Sequence, residues 1–444
     1  MDQGSMLTVL DEPMKALLKK ITVSTVGWDD LLDMEMPRGM SVNAAWEFVH
    51  SINNGIGVAI PVPSSSMSVY YRYSMELVEQ VVRLYQVAAE VASLMPPSEY
   101  RWHRWNVDRA LRDAACAARL DGFDVDSDAV ADLYAGSREP ESVGERLVAN
   151  MLRAEDELAW KPDLEVTVGV VRECIERVTE GVSPEELERG SRADGLMIVP
   201  RQAVAGLAPN RPERERMLFD YINGTSGVRE DFAFVRALIT PDYIRAFVPG
   251  VHAATLSGRL IAHLIANKMG TPTLGMLALS MRRLQWERGE LSGAVSYDRA
   301  QIEASQRREV DMRLFDTTML HTVLVQIALL EAQGLLSFVH SFERRNAAVR
   351  DALFESGMFN QRQRGVLMRA AKGDDRTFTI AYHQANHGIS YSTARRDFQE
   401  LADRGFLDVE LASKTQVFRA AAGMDERLSE TFGIPAAVLA LERS

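Results

Sequence analysis

The chain has 444 residues, which is long enough for two to four domains and a large core. It is 46% hydrophobic and 25% charged, as globular proteins are, and its net charge of −12 excludes a protein that coats nucleic acid with its whole surface. Any contact with DNA therefore needs a local basic patch. With two cysteines and no Cys/His cluster in the sequence, we expect a reducing compartment, the cytoplasm, and neither a metal nor a cofactor.

Most of the chain before residue 358 has apolar residues at helical spacing, which predicts a mainly α protein. The first 25 residues have no apolar segment of the kind found in secretory signals. The most apolar segment, 318–340, is interrupted by Gln326, Glu331 and Gln333, so we expect a buried helix and no membrane span. The elements predicted before residue 205 are a short helix over 7–20, helices over 67–95, 102–120, 141–160 and 164–182, and a β-hairpin over 190–204.

The segment 234–272 predicts a helix, a tight loop and a second helix. The first helix covers 236–247 with a restart or kink at Pro241, the loop covers 248–258, and the second helix ends at Gly270. A loop that opens onto a helix N-terminus presents unpaired N–H groups and the positive end of the helix dipole. The loop is therefore a candidate anion site.

Two intervals in this segment fix its alignment to a known motif without a gap. The first runs from Val-Arg-Ala at 235–237 to Pro249, and the second from Gly-Arg-Leu at 258–260 to Gly-Thr-Pro at 270–272. By these intervals the segment resembles the Fic family, whose enzymes usually transfer AMP from ATP to a protein hydroxyl at the motif His-Pro-Phe-x-Asp/Glu-Gly-Asn-Gly-Arg-x-x-Arg. In this register four functional positions of the family's motif are occupied by Val248, His252, Ala254 and Leu256.

Each of these replacements removes a function that the resemblance implies. Val248 stands at the general base and cannot accept the proton of the attacking hydroxyl, a role worth roughly 10²–10⁴-fold in rate. His252 stands at the acid that holds Mg²⁺, and imidazole is a poor ligand for that hard cation. Ala254 stands at the asparagine, and Leu256, at the first arginine, removes a charge-assisted phosphate contact. The resemblance therefore implies a Fic fold without Fic chemistry, a pseudoenzyme.

Of the motif, Pro249 and the second arginine, Arg259, remain, while Gly258 falls on an unrestricted position. Gly258 and Arg259 are the candidates for a residual nucleotide contact. An alternative register makes His252 the base of a shortened motif over 252–259, which would give an AMP-transferase or a related nucleotidyl- or phosphotransferase. That register contains no carboxylate and breaks the upstream interval.

A second resemblance lies in Ala-Ala-Arg-Leu-Asp-Gly at 117–122. Many Fic proteins carry an inhibitory helix, Ser/Thr-x-x-x-Glu-Gly, whose glutamate pairs with the phosphate-binding arginine and blocks ATP. Ala117 stands at the serine position and Asp121 at the glutamate position, while Gly122 remains. The carboxylate is one methylene shorter, so the resemblance implies a vestigial inhibitory helix. The alternative is a helix C-terminus capped by Gly122.

Residues 358–423 have ten basic and seven acidic side chains, a net charge of +3 that leaves −15 on the rest of the chain. The pattern predicts helices over 360–371 and 377–386, a third helix capped by Ser390, and two strands, 406–411 and 415–419. With Gly388 at the turn, this segment resembles the winged helix-turn-helix of many Fic proteins and bacterial regulators. The candidate DNA contacts are Ser392, Arg395, Arg396 and Gln399 on the third helix and Lys414 in the wing.

Together these patterns predict a DNA-binding regulator, expected as a homodimer because one winged helix reads few base pairs. Its inactive body would serve in dimerisation, partner binding or sensing. A protein-interaction adapter without DNA binding is an alternative, because winged helices also bind proteins. The predicted domains are an N-terminal appendage (1–65), a degenerate Fic-like helical bundle with a β-hairpin flap (66–357), a winged helix-turn-helix (358–423) and a C-terminal helix (424–444).

Overall fold

The protein is mainly α-helical, as predicted, with two small sheets in the part of the chain that the computed structural model describes. It divides into two compact units, the first formed by Met1–Ser93 with Asn106–Gln333 and the second by Leu94–Trp105 with Gly334–Ser444. The described residues are 10–63, 67–94, 100–159, 164–190, 198–199, 211–224, 232–248, 252–307, 313–372, 377–412 and 415–440.

Up to residue 316 the described residues form helices interrupted by three short strands. A single π-helical turn, Glu155–Ala159, extends the seventh helix. In chain order the elements are α1 (Glu12–Val23), α2 (Trp28–Leu32), α3 (Val42–Ile56), β1 (Val58–Ile60), β2 (Ser68–Tyr71), α4 (Met75–Leu94), α5 (Tyr100–Leu120), α6 (Ala129–Ala135), α7 (Val143–Ala154), α8 (Val168–Val178), α9 (Pro184–Gly190), α10 (Arg211–Asn223), α11 (Ala233–Phe247), α12 (Ala254–Lys268), α13 (Pro272–Gly275), α14 (Leu279–Glu287), α15 (Arg299–Arg307) and β3 (Leu314–Asp316).

The first unit contains a three-stranded sheet that the sequence analysis did not predict. Strand β2 pairs antiparallel with β1 and parallel with β3. The prediction of one helix over 67–95 is wrong at its start, because Val69 and Tyr71 are buried sheet residues and α4 begins only at Met75. β-branched and aromatic side chains favour a half-buried pleated surface, which explains the strand. The structure also places residues 10–63 within this unit, where the sequence predicted an appendage.

The helix pair α11 and α12 positions the candidate anion site. Pro241 lies inside α11, and Gly258 of α12 packs directly against it: a Cβ on Gly258 would stand 2.6 Å from the Pro241 Cγ and 2.8 Å from its Cα. This close approach requires glycine. The helix α12 begins at Ala254, within the predicted loop 248–258, so the five residues from Ala254 to Gly258 are helical rather than loop. Its end is capped by Gly270 with φ +67°, as predicted.

The helix Thr318–Glu355, here α16, is long and apolar enough to span a membrane by length and composition alone. Its most apolar window has a mean hydropathy of 1.7, and 72% of that window is buried within the protein. The core helix of a globular protein meets the same criteria.

From residue 361 the second unit consists of helices and a three-stranded sheet in the order β4-β6-β5. Strand β6 pairs antiparallel with both neighbours, and Phe398 stacks on Phe418 in the core. The helix predicted over 377–386 begins with a short strand, and α18 starts at Ile380 behind the N-cap Thr379. The elements are α17 (Gln361–Lys372), β4 (Phe378–Thr379), α18 (Ile380–His387), α19 (Tyr391–Asp403), β5 (Leu407–Ala412), β6 (Thr415–Ala420), α20 (Met424–Phe432) and α21 (Ala436–Leu439).

The second unit extends beyond the predicted winged helix-turn-helix at both ends. Val349 and Leu353 of α16 belong to its core, and so do Met424, Leu428 and Leu439 of the last two helices. The predicted helical C-terminus is interrupted at Gly433, which has φ +67°, as the pattern of Gly and Pro indicated. Three predictions fall outside the described residues: most of the hairpin 190–204, the motif residues 249–251, and Lys414.

Candidate functional site

The candidate anion site is the N-terminus of α12, at the positions that resemble the Fic motif. Val248 follows α11 directly and is buried, with 5% of its surface exposed. His252 is half-buried before the helix and has no hydrogen bond or ion pair among the described residues. Ala254 and Leu256 lie in the first turn of α12 and are buried. The structure thus gathers the four motif positions at one helix end.

The carboxylate of Asp121 occupies this helix end. The backbone N–H of Thr255 donates to both carboxylate oxygens at 2.9 Å, and the N–H of Leu256 donates to Oδ2 at 3.2 Å. Arg245, from the last turn of α11, donates to Asp121 Oδ1 at 3.1 Å and to Thr255 Oγ1 at 2.7 Å. The Asp121 side chain is completely buried. The protein therefore fills its own anion site.

The positive φ of +97° at Gly122 ends α5 directly after Asp121. The preceding turn closes with the N–H of Gly122 donating to the carbonyl of Arg119. Burial raises the pKa of the Asp121 carboxyl, and the charge of Arg245 and the amides of Thr255 and Leu256 act against that rise. Asp121 is thus both the cap of one helix N-terminus and the last side chain before a glycine turn.

The pair of Asp121 and Arg245 belongs to a network of buried charged side chains. Asp242 of α11 lies 3.4 Å from Arg245 and accepts two hydrogen bonds of 2.6 Å from the guanidinium of Arg283 in α14. A bidentate pair of this kind fixes the orientation of both partners. Asp121, Arg245, Asp242 and Arg283 therefore tie α5, α11, α12 and α14 together around the closed anion site. The sequence patterns pointed to Asp121 and missed the other three residues.

Arg259, the predicted residual nucleotide contact, is engaged elsewhere. It donates to Asp113 Oδ2 at 2.7 Å and to Glu155 at 3.3 Å, and 10% of its side chain is exposed. His263 Nδ1 lies 2.8 Å from the same glutamate. The cavity beside this cluster measures about 60 Å³, far less than the roughly 300 Å³ at which ligand pockets begin. Arg259 is thus part of the core and does not face a nucleotide-sized pocket.

The ion cluster predicts a pH-dependent contribution to stability. Burial acts to raise the pKa of Glu155, but Arg259 and His263 outweigh it and lower the pKa from 4.5 to about 2. A lowered pKa contributes stability that is present above pH 4.5 and is lost as the pH falls towards 2. We expect Glu155→Gln to lower the free energy of unfolding by about 2–4 kcal/mol at neutral pH, and that difference to shrink between pH 4.5 and 2.

The measurement is urea unfolding of the wild type and the variant across that pH range. Glu157→Gln is the control, since its ion pair with Arg177 is largely exposed and exposed pairs contribute about 0–1 kcal/mol. A Glu155→Gln difference that stays constant down to pH 2 contradicts the assignment.

In the second unit, α19 exposes the four predicted DNA-contacting side chains. Ser392, Arg395, Arg396 and Gln399 are exposed, whereas Ala394, Phe398 and Leu401 are buried. Ser390 caps the helix by accepting the N–H of Thr393 at 3.2 Å. The turn before it contains Gly388 at φ +59°.

A buried carboxylate on the inner face of α19 holds this helix in place. Asp397 accepts hydrogen bonds from Asn360 at 3.0 Å and Arg362 at 2.7 Å, and from Nε2 of His383 at 3.2 Å. Burial acts to raise the pKa of Asp397, but the bonds from Arg362, Asn360 and His383 outweigh it and lower the pKa. Sequence reasoning missed Asp397 because one aspartate on an otherwise polar helix is indistinguishable from a solvated one.

Among the described residues no group of three or more His, Cys, Asp and Glu side chains could hold a metal ion. No known family model matches the sequence, and neither does any curated protein. Among solved structures, the chain is similar to a Fic family protein from Desulfovibrio desulfuricans G20 at 15% identity and a TM-score of 0.42, over 79% of this chain and 98% of that one. A likeness at this level shows neither a common fold nor a common activity.

Proposed function

We propose that this protein is a DNA-binding regulator whose second unit contacts DNA and whose first unit is a catalytically inactive, Fic-like body. The observation that carries the proposal is the exposed face of α19. Ser392, Arg395, Arg396 and Gln399 stand on it, while the opposite face is buried. A recognition helix presents such groups to base edges and phosphates in the major groove.

The arrangement around α19 supports a winged helix-turn-helix. Helices α18 and α19 are joined by a short turn, and β5 and β6 form an antiparallel hairpin directly after α19. Asp397 ties α19 to the start of α17 and to α18, so the outward face has a fixed orientation. Rigid support of this kind is what a sequence-reading helix needs.

The closed helix end in the first unit supports an inactive body. A phosphate bound at the N-terminus of α12 would need the N–H groups that Asp121 already binds. Val248 stands where a general base would be needed, and Arg259 is taken up by Asp113 and Glu155. In this proposal the body serves in dimerisation, partner binding or sensing, and the protein acts in the cytoplasm.

We expect the double variant Arg395→Ala/Arg396→Ala to lose salt-sensitive DNA binding. Each phosphate contact that is lost lowers the slope of log affinity against log salt by about 0.9, and a lost base contact costs about 1–3 kcal/mol. The measurement is a mobility shift on random-sequence duplexes at several salt concentrations. Arg350→Ala is the control, because Arg350 is exposed on α16 and pairs with its neighbour Asp351. Binding by the double variant that equals the wild type contradicts the proposal.

A further inference from the structure

Two tyrosines of the second unit are unusually exposed. Tyr382 has 54% of its surface exposed and Tyr391 has 55%. Neither phenol hydroxyl has a hydrogen-bond partner among the residues that the structure describes. Tyrosine combines a large apolar ring with a polar end, so an exposed pair that stabilises no core is a candidate for intermolecular contact.

Tyr382 stands in the first turn of α18, with a cation against its ring. Its backbone N–H donates to the N-cap hydroxyl of Thr379 at 3.3 Å, which fixes the position of the residue. The guanidinium carbon of Arg369 lies 5.7 Å from the centre of the Tyr382 ring and equally far from that of Phe378. The exposed ring and the half-buried guanidinium thus bring a positive charge and a hydroxyl donor together. That combination suits a phosphate group.

Tyr391 is the first residue of α19. Residues four apart lie on the same helix face, so Tyr391 shares a face with Arg395 and Gln399. The N-terminal residues of a recognition helix are those that approach the base edges. An aromatic ring there makes an apolar contact, and the C5 methyl group of thymine is the apolar feature of the major groove.

We propose that Tyr391 is a specificity-determining residue that contacts a thymine in the major groove, and that Tyr382 and Arg369 together contact one backbone phosphate. This inference rests on the proposed DNA binding of α19. It extends the proposed DNA-contacting surface from α19 alone to both α18 and α19. It also names thymine as the base that Tyr391 contacts.

The sequence pattern gave no sign of either tyrosine, because both stand where amphipathic helices carry ordinary surface residues. The second unit also offers a matched control for an exposed aromatic ring covered by arginine. Phe354 of α16 has the guanidinium of Arg364 at 4.6 Å from its ring centre and is 59% exposed. This pair involves neither α18 nor α19, so its loss tests whether any exposed ring affects binding.

The experiment selects duplexes from a random-sequence pool with the full chain and measures affinity for the best duplex and its single-base variants. Tyr391→Ala should reduce discrimination for thymine at one position by about tenfold, whereas Tyr391→Phe should keep it, since the ring makes the contact. Arg369→Ala should weaken binding to all duplexes equally and lower the salt slope by about 0.9, while Tyr382→Phe should weaken all duplexes without changing the slope. Phe354→Ala should change neither quantity.

Two failures are distinguishable. If Arg395→Ala/Arg396→Ala abolishes binding while Tyr391→Ala keeps full discrimination and Tyr382→Phe full affinity, this inference is overturned and the proposed function stands. If the wild type selects no duplex, or the arginine variant binds like the wild type, the proposed function falls and this inference with it. Circular dichroism of each variant, compared with the wild type, shows whether α18 and α19 remain folded.

Discussion

Replacing Asp121 by alanine is expected to lower the free energy of unfolding of the first unit by about 3–5 kcal/mol. The carboxylate is completely buried and is the partner of Arg245 and of two backbone N–H groups of α12. Alanine would leave the charge of Arg245 and these N–H groups without that partner inside the protein. Removing one partner of a buried ion pair costs more than the pair itself contributes, because the remaining charge stays desolvated.

The measurement is urea unfolding followed by tryptophan fluorescence, since Trp46 and Trp286 are buried in the first unit. Asp124→Ala is the matched control, because Asp124 lies three residues away on the surface and its loss should change stability by less than about 0.5 kcal/mol. The wild type and Asp121→Ala should also transfer no label from ATP to protein, since Val248 cannot act as a base. If Asp121→Ala has unchanged stability and transfers label, the account is contradicted. Asp121 would then block an active site without stabilising the fold.

Replacing Asp397 by alanine should have an effect of similar size in the second unit, about 3–5 kcal/mol. Asp397 is buried and bonds Asn360, Arg362 and His383, so its loss releases the contacts between α19 and its two neighbours. Its lowered pKa means that the stabilisation is present above the ordinary value of 3.8 and is lost as the pH falls through the lower folded value. The difference between wild type and variant should therefore shrink in strong acid.

Hydrogen exchange of the amides in α17, α18 and α19 measures this effect directly. Exchange in these helices should be faster in Asp397→Ala at neutral pH, while the helices of the first unit keep their rates. Asp403→Ala on the same helix is the control, because Asp403 is exposed and accepts a surface bond from Gln399. Equal protection in Asp397→Ala and the wild type would show that Asp397 does not hold α19.

The sequence predicted features that depend on local pattern. The cap of α12 at Gly270 and the exposed face of α19 follow from residues a few positions apart, and both are as predicted. Strand β2 was missed because the helical pattern that starts at Leu77 was extended back to residue 67, although Val69 and Tyr71 alternate as strand residues do. Its pairing with β1 and with β3, which lies about 245 residues later, stabilises the extended form.

In the candidate site, too, features set by nearby residues could be predicted, whereas contacts between distant residues could not. The spacing predicts motif positions around Val248, but the residue that fills the helix end lies 134 positions before Thr255 in the chain. The prediction that Arg259 contacts a nucleotide came from its position in the motif, which carries no information about its partners in the fold. Its partners Asp113 and Glu155 lie on other helices and become visible only once the helices pack. Long-range ion pairs have no local signature, so the sequence alone could not predict them.

The most direct test of the account is footprinting of the wild type and of Arg395→Ala/Arg396→Ala on genomic DNA of the source organism at low and at raised salt. The account predicts protected sites made of two half-sites about 10 base pairs apart, or a multiple of that, that weaken with salt and disappear in the double variant. No protected site for the wild type, or the same sites for the variant, would contradict it.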